Sequence, residues 1–374
     1  GTANYGFKAS IQITASHNPA EYNGMKVSTT NAAAVGFDAG LGTIKQWIDE
    51  GKPCVPAAKK GQVYRKDIHQ DYLNFLLKFK EDWSNLKIAM DLSNGMANLY
   101  AKEIFGAQPT YIFDTIDGRF PNHEPNPLVA KNVVALQELV RKTGADIGVI
   151  YDGDADRVMF VDENARFISP DLMIAVLGHY FLEKKGEKGI VLQDIRSSKA
   201  VGEYLTPMGA QMATWKVGRA FAANKLRELN GIYGGELAGH YYFRDFFFSD
   251  SGLLASMLIL NVVAAMKKKG VSLSQLIAGI EKYKNSGEVN FKIENKKEAM
   301  DAVRDHFLAQ EKPTAYMDFD GYRVEFPRWW FNVRPSNTEP YLRFICEADS
   351  DELLADKLAQ VKDILVNKFG GEQK

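Results

Sequence analysis

Cysteine is scarce in this sequence, with 2 in 374 residues, Cys54 and Cys346. So distant a pair matches no zinc or redox spacing. It excludes a disulfide framework and reads as two reduced, partly buried thiols in a reducing compartment. An excess of charge of either sign is also missing, since 46 Lys and Arg face 47 Asp and Glu for a formal net charge of -1. Nucleic acid and anionic membranes favour a clear basic excess, so neither is expected as a partner, and any anionic ligand must be met by local basic groups. No apolar run is long enough to cross a bilayer: the longest, 253–266, has roughly 14 residues against the about 20 that a crossing helix needs. The opening Gly1-Thr2-Ala3-Asn4-Tyr5 lacks the charged and apolar regions of a signal peptide, and a cytoplasmic location is expected.

What is present is the balance of a globular protein, 45% hydrophobic and 25% charged. A single core rarely grows past roughly 250 to 300 residues, so several domains are expected. At three places an apolar strand runs into a short polar loop with a helical segment soon after. They are Ser10-Ile11-Gln12-Ile13 into Thr14-Ala15-Ser16-His17, Lys87-Ile88-Ala89-Met90 into Asp91-Leu92-Ser93-Asn94-Gly95, and Gly189-Ile190-Val191-Leu192 into Gln193-Asp194-Ile195-Arg196-Ser197-Ser198. This alternation predicts α/β domains with largely parallel sheets. Helical periodicity marks 133–142, 172–184 and 253–269, the last opened by Asp250 and Ser251 and closed by Gly270. Its Lys267-Lys268-Lys269 end reads as a solvated terminus complementing the helix dipole. Turn formers near 53–61, 165–170 and 285–287 divide the chain into four pieces. The last mixes the strand-like runs 329–333 and 341–345 with a helix over 351–368, which predicts a small α+β domain.

The strongest local signal is Asp152-Gly153-Asp154-Ala155-Asp156-Arg157, flanked by the strand-like runs 147–151 and 158–161. Alternate carboxylates on a tight loop can point at one centre, and hard oxygen ligands of that charge suit Mg²⁺. A calcium loop is the rival reading, and Glu163 falls at its twelfth position, but Arg157 stands where that loop needs Gly. A purely structural acidic turn is the third.

Ser16 lies in Thr14-Ala15-Ser16-His17-Asn18-Pro19, where Asn-Pro forces a turn that would present the hydroxyl at a sheet edge. Taken alone it reads first as a turn residue, because the glycines of a hydrolase nucleophile elbow are absent. Arg334-Pro335-Ser336-Asn337-Thr338-Glu339-Pro340 is a loop of hydrogen-bonding side chains between two strands, able to cradle a phosphate or simply to form a well-capped turn. Gly234-Gly235-Glu236-Leu237-Ala238-Gly239-His240 offers a carboxylate and an imidazole suited to vicinal sugar hydroxyls. His69, His123, His179 and His306 sit in none of these segments and are assigned structural or surface roles.

In this order, Thr-Ala-Ser-His-Asn-Pro, Asp-Gly-Asp-Ala-Asp-Arg, Gly-Glu-Leu-Ala-Gly-His and Arg-Pro-Ser-Asn-Thr-Glu-Pro resemble the α-D-phosphohexomutase family over essentially the whole chain, most closely its phosphomannomutases and phosphoglucomutases. The resemblance implies several doubly wound α/β domains with mixed or parallel sheets around a central cleft, plus a C-terminal α+β domain. Their expected bounds are 1–62, 63–166, 167–283 and 284–374. It also implies that Ser16, with His17 and Lys26 beside it, is the catalytic centre. On the same resemblance Ser16 would be phosphorylated in the resting enzyme, and Mg²⁺ would be held by that phosphate with Asp152, Asp154 and Asp156. Lys26 would assist proton movement, which for a base needs a lowered pKa.

The substrate contacts implied are Arg157, Arg196, Lys216, Arg219, Glu236, His240, Arg334, Ser336, Asn337 and Thr338. The reaction implied interconverts hexose 6-phosphate and hexose 1-phosphate, of mannose or glucose, through a 1,6-bisphosphate. Glucose 1,6-bisphosphate or mannose 1,6-bisphosphate would recharge the serine. The partners are hexose phosphates, and the enzyme is expected to be a monomer or homodimer. A phosphoglucosamine mutase is the nearest alternative, and a non-catalytic sugar-phosphate binding protein is the alternative from another class.

Three departures stand out. Arg219, in Lys216-Val217-Gly218-Arg219, occupies a position where relatives can carry His. Leu237-Ala238 stands where relatives commonly have a polar Ser, removing a hydroxyl contact. The family also has about half a domain before the serine loop. A chain truncated there is expected to expose sheet edges and apolar surface and to turn over poorly.

Overall fold

A computed structural model describes residues 1–336 and 340–374. Among these residues the strands form four sheets, each from a continuous stretch of sequence. The first pairs β1 (Ala9–Ile13) with β2 (Met25–Thr29), antiparallel, with Ile13 opposite Met25. This corrects the strand-loop-helix expectation for the start of the chain, where the element after the Ser16 loop is a second strand. The ribbon has no deep core: Ile11 and Ile13 remain 62% and 68% exposed.

The second sheet is built from β3 (Ile88–Asp91), β4 (Thr110–Ile112), β5 (Ile147–Tyr151), β6 (Val158–Asp162) and β7 (Phe167–Ile168), in the order β4-β3-β5-β6-β7. The pairs of β3 with β4 and β5 are parallel, whereas β5–β6 and β6–β7 are antiparallel. Strands β3, β5 and β6 are buried along their whole length, which explains why they read as continuous apolar runs rather than alternating ones.

The third sheet has β8 (Gly189–Asp194), β9 (Ala210–Trp215), β10 (Tyr233–Gly235), β11 (Tyr241–Phe243) and β12 (Ser249–Asp250), in the order β12-β11-β10-β8-β9. Helix Gly252–Lys268, capped by the Ser251 side chain, buries nearly every residue of its apolar stretch. One continuous core joins its Leu254, Met257 and Leu258 to Tyr151 and Phe160 of the second sheet and to Tyr233 and Tyr241 of the third. The lysines that end this helix pair with Asp146, Asp82 and Glu183, a solvated terminus as expected.

The fourth sheet comprises β13 (Lys284–Asn285), β14 (Val289–Lys292), β15 (Ala315–Met317), β16 (Tyr322–Glu325), β17 (Trp329–Pro335), β18 (Tyr341–Ala348) and β19 (Glu372–Gln373). Every pairing in it is antiparallel. It packs its own core, including Phe291, Phe307, Trp329 and Phe344. The predicted helices over 172–184 and 351–368 both change character partway, from Leu172–Gly178 and Asp351–Lys362 into a wider π turn at His179–Lys184 and Asp363–Lys368. Cys346 is buried in β18, but Cys54 is exposed, which corrects its assignment as partly buried.

Candidate functional site

The acidic loop is the turn of the β5–β6 hairpin, in which Tyr151 faces Val158. A turn that doubles back so sharply places Ala155 in the left-handed region, at φ 60°. The first turn of helix Gly252–Lys268 abuts the loop, Gly252 N–H donating to Ala155 O at 3.1 Å. The positive end of that helix dipole therefore faces the carboxylates.

Asp152 is fully buried and accepts from Arg157 N at 3.1 Å and Arg157 Nε at 2.9 Å. Oxygens of Asp152, Asp154 and Asp156 lie within 4.8 Å of one another. Burial, reinforced by the charges of Asp156 and Asp154, pushes Asp152 well above the usual carboxylate range. Burial likewise lifts Asp156 to about 6, with the Asp250 and Asp154 charges adding and His240 and Lys26 opposing. Oδ1 of Asp154 and Oδ1 of Asp156 are buried without a hydrogen-bond partner. Orphaned hard oxygens beside mutually repelling carboxylates fit a divalent cation, so this triad could hold a metal.

The serine loop docks onto this turn. Thr14 Oγ1 accepts from Ser16 N and donates to Asp154 Oδ2, both at 2.8 Å. Ser16 is held in the left-handed region at φ 58°, an uncommon conformation for a residue with a side chain. Its Oγ lies 3.4 Å from Arg157 Nη2 and 3.3 Å from His17 Nδ1, and Arg157 Nη2 also donates to His17 Nδ1. Burial lowers Arg157 to about 10, still a cation at neutral pH. Gly153 permits the approach: a Cβ there would stand 2.5 Å from Ser16 O.

Lys26 crosses from β2 to donate to Asp154 Oδ2 at 2.7 Å and to Asp156 Oδ2. Burial alone would lower its pKa, but the Asp156 and Asp154 charges outweigh that and raise it. This is the reverse of the lowering a base requires, so in this arrangement Lys26 is a fixed cation. A cavity of about 510 Å³ opens over Ser16, bordered by Asn94, Gly95, Met96, Tyr100 and Asp154.

Glu236 and His240 follow β10 on the sugar-type loop. Glu236 accepts from Gly218 N and from Tyr242 Oη, each at 2.6 Å. His240 Nδ1 pairs with Asp250 Oδ2 at 2.8 Å and approaches Asp156 Oδ1 at 3.7 Å. Arg219 donates from Nε to both oxygens of Asp250, at 2.9 and 3.0 Å, and lies 3.6 Å from Asp156. Lys216 has its Nζ 5.7 Å from the Phe221 ring.

Arg196, in the loop after β8, is fixed to Asp194 through Nη2 at 2.8 Å and backbone N at 2.7 Å. Arg334 is 3% exposed and has its Nε unpartnered. Burial and then the Arg196 charge hold its pKa below the ordinary guanidinium value, with Asp320, Glu288 and Asp194 opposing them. Ser336 directly follows β17, while Asn337 and Thr338 lie outside the described residues.

Several residues at the site carry no signal in the motifs. Asp250 was legible only as a helix start, yet it anchors both His240 and Arg219. Asp320 accepts from Val217 N at 2.8 Å and lies 3.7 Å from Arg334. Asp194 accepts from Leu237 N at 2.8 Å, and Thr14 and Tyr242 secure Asp154 and Glu236. Asp320 and Asp194 are ordinary polar residues with partners far off in sequence, while Thr14 lies inside the serine motif itself and Tyr242 only six residues from Glu236.

Comparison with known proteins places these features. The chain matches the profiles of phosphoglucomutase/phosphomannomutase alpha/beta/alpha domain I at residues 1–51, domain II at 63–165 and domain III at 169–283, and of the C-terminal domain at 288–364. It is 32% identical to a phosphomannomutase of Methanocaldococcus jannaschii, over 95% of this chain and 78% of the relative. A phosphomannomutase of Escherichia coli is 34% identical, over 97% and 81%. A solved phosphoglucomutase/phosphomannomutase family protein of Burkholderia thailandensis superposes with TM-score 0.82 at 27% identity, covering 96% of this chain and 76% of that one.

Proposed function

Since the chain belongs to the phosphoglucomutase/phosphomannomutase family and is a phosphohexomutase, we propose that it moves the phosphate through Ser16. The observation that carries this reading is the docking of the serine loop on the acidic turn, with Ser16 Oγ beside Arg157 and Thr14 tied to Asp154. Each of the four stretches 1–62, 63–166, 167–283 and 284–374 then contributes residues to a common cleft.

Asp152, Asp154 and Asp156 would hold Mg²⁺, which when bound offsets charge on the transferring phosphoryl group. Arg157 steadies the phosphoserine, and Lys26, paired with Asp154 and Asp156, places a second positive charge beside it. Arg196, Arg334 and Ser336 hold the phosphate at the far end of the substrate, with Asn337 and Thr338 completing the clamp. Glu236 accepts from sugar hydroxyls, and His240 and Arg219, both braced by Asp250, border the same space.

In the first transfer the bond from phosphorus to Ser16 Oγ breaks as one forms to the free sugar hydroxyl. The hydroxyl proton ends on Oγ, leaving a hexose 1,6-bisphosphate and free Ser16. After the bisphosphate reverses end for end, the same clamp holds the new phosphate and the other returns to Ser16. Glucose 1,6-bisphosphate or its mannose counterpart would restore a serine that has lost its phosphate.

The test compares turnover of mannose 1-phosphate, glucose 1-phosphate and glucosamine 1-phosphate with and without Mg²⁺. Mg²⁺-dependent turnover fastest on mannose or glucose is expected. Preference for the amino sugar would replace this reading with a phosphoglucosamine mutase.

A further inference from the structure

Arg323 is a cation that none of the motifs contains and that the proposed chemistry does not use. It lies on β16, in the fourth sheet, and is 1% exposed, among the largest fully buried side chains of the molecule. A buried guanidinium is costly unless its donors are met. Here they are met mostly across the boundary between two sheets. Nη1 donates to Ile195 O at 2.8 Å and to Ser197 O at 2.7 Å, the carbonyls on either side of Arg196. Nε donates to Glu325 Oε1 at 2.7 Å, and the guanidinium plane lies 3.7 Å over the Trp330 ring.

The same loop is gripped a second time. Ser198 Oγ donates to Glu347 Oε2 at 2.9 Å, and that oxygen also accepts from Trp330 Nε1 at 2.7 Å. The loop bearing Arg196 is thus fastened at successive residues to the sheet that bears Arg334. Arg196 is also paired with Asp194 at 2.8 Å and with Glu288 at 3.5 Å, so the loop's position decides how near its guanidinium stands to Arg334.

We infer that Arg323 is a positioning residue for the phosphate clamp, setting the separation of Arg196 from Arg334 through the carbonyls that flank Arg196. The inference rests on the reading of Arg196 and Arg334 as holders of the distal phosphate. Trp330 stacks on the guanidinium and Glu325 holds its Nε, which leaves the single nitrogen Nη1 to donate to both carbonyls; a lysine at this position keeps a donor but loses the stacking and the Nε bond. Because the clamp grips the non-reacting end of the substrate, loosening it raises KM and weakens binding of free phosphate while the chemical step is largely spared.

The experiment measures kcat and KM on glucose 1-phosphate, inhibition by inorganic phosphate, and thermal stability for Arg323→Met, Arg323→Lys, Arg196→Met and the double variant Arg323→Met with Arg196→Met. The expected result is a KM and a phosphate inhibition constant raised roughly tenfold in Arg323→Met, with kcat within about threefold of wild type. Arg323→Lys falls between, and carries the test if the Met variant does not fold. In the Arg196→Met background the second substitution adds less than about twofold, since the group it positions is gone. Folded Arg323 variants with wild-type KM and phosphate inhibition, or effects that multiply fully with Arg196→Met, would overturn the inference. Wild-type KM in Arg196→Met would instead overturn the clamp reading itself, and this inference with it.

Discussion

Asp154 shares one oxygen between Thr14 and Lys26 and leaves the other buried without a partner. Replacing it by Asn keeps the shape and removes the charge. Asp154→Asn is expected to cut turnover by at least about 100-fold and to shift the Mg²⁺ requirement upward, read from rates across a Mg²⁺ titration. An unchanged Mg²⁺ profile would count against the triad as the metal site. His123 supports a prediction of another kind. It pairs with the buried Asp91 at 3.0 Å, behind the Asn94-Gly95-Met96 wall of the cavity. Burial works against its protonation, but the hydrogen bond and charge of Asp91 outweigh that and raise it above 6.5. A raised folded-state value contributes stability fully below the unfolded value and loses it as pH rises through the folded one. The gap in Tm between wild type and His123→Gln should therefore be widest near pH 6 and narrow by roughly pH 9. Burial lifts the Asp91 carboxyl as well, which acts on the acid side of this window. The motif residues were legible because each motif is contiguous. Asp250, Asp320 and Asp194 were not, because their roles come from partners such as His240, Arg334 and Leu237 that only the fold brings close.

At the scale of elements, the β5–β6 hairpin and the loop after β1 form one unit joined at Gly153. A methyl group there meets the Ser16 carbonyl at 2.5 Å, so backbone must move. Gly153→Ala is expected to separate the serine loop from the acidic turn and lower kcat by at least about tenfold with the fold retained, checked by steady-state rates beside circular dichroism. Wild-type kcat would mean that the contact is dispensable. The hairpin strands were readable as apolar runs because both faces are covered, and helix Gly252–Lys268 because its Ser251 cap and apolar run agree. The antiparallel partner of β1 was not readable, since strand order is set by pairing rather than by the pattern of either strand. The π turns ending two predicted helices were also invisible, because a helix that widens keeps nearly the same apolar period.

Across the whole molecule the proposed clamp bridges two cores, with Arg196 following β8 of the third sheet and Arg334 on β17 of the fourth. The second and third sheets share one continuous core, and the fourth has its own. The Lys216–Arg219 turn is joined to the fourth stretch by Val217–Asp320, and the Arg196 loop by the Arg323 and Glu347 contacts. Such a division would let the fourth sheet carry Arg334 relative to the body that holds the metal site, as release and regrasping of the substrate require. All of this depends on Ser16 carrying the phosphate. The most direct measurement is the intact mass of the wild-type protein beside Ser16→Ala after incubation with glucose 1,6-bisphosphate and Mg²⁺. The account predicts one added phosphate on wild type and none on Ser16→Ala. Equal labelling of the two proteins, or no phosphate on either, would contradict it.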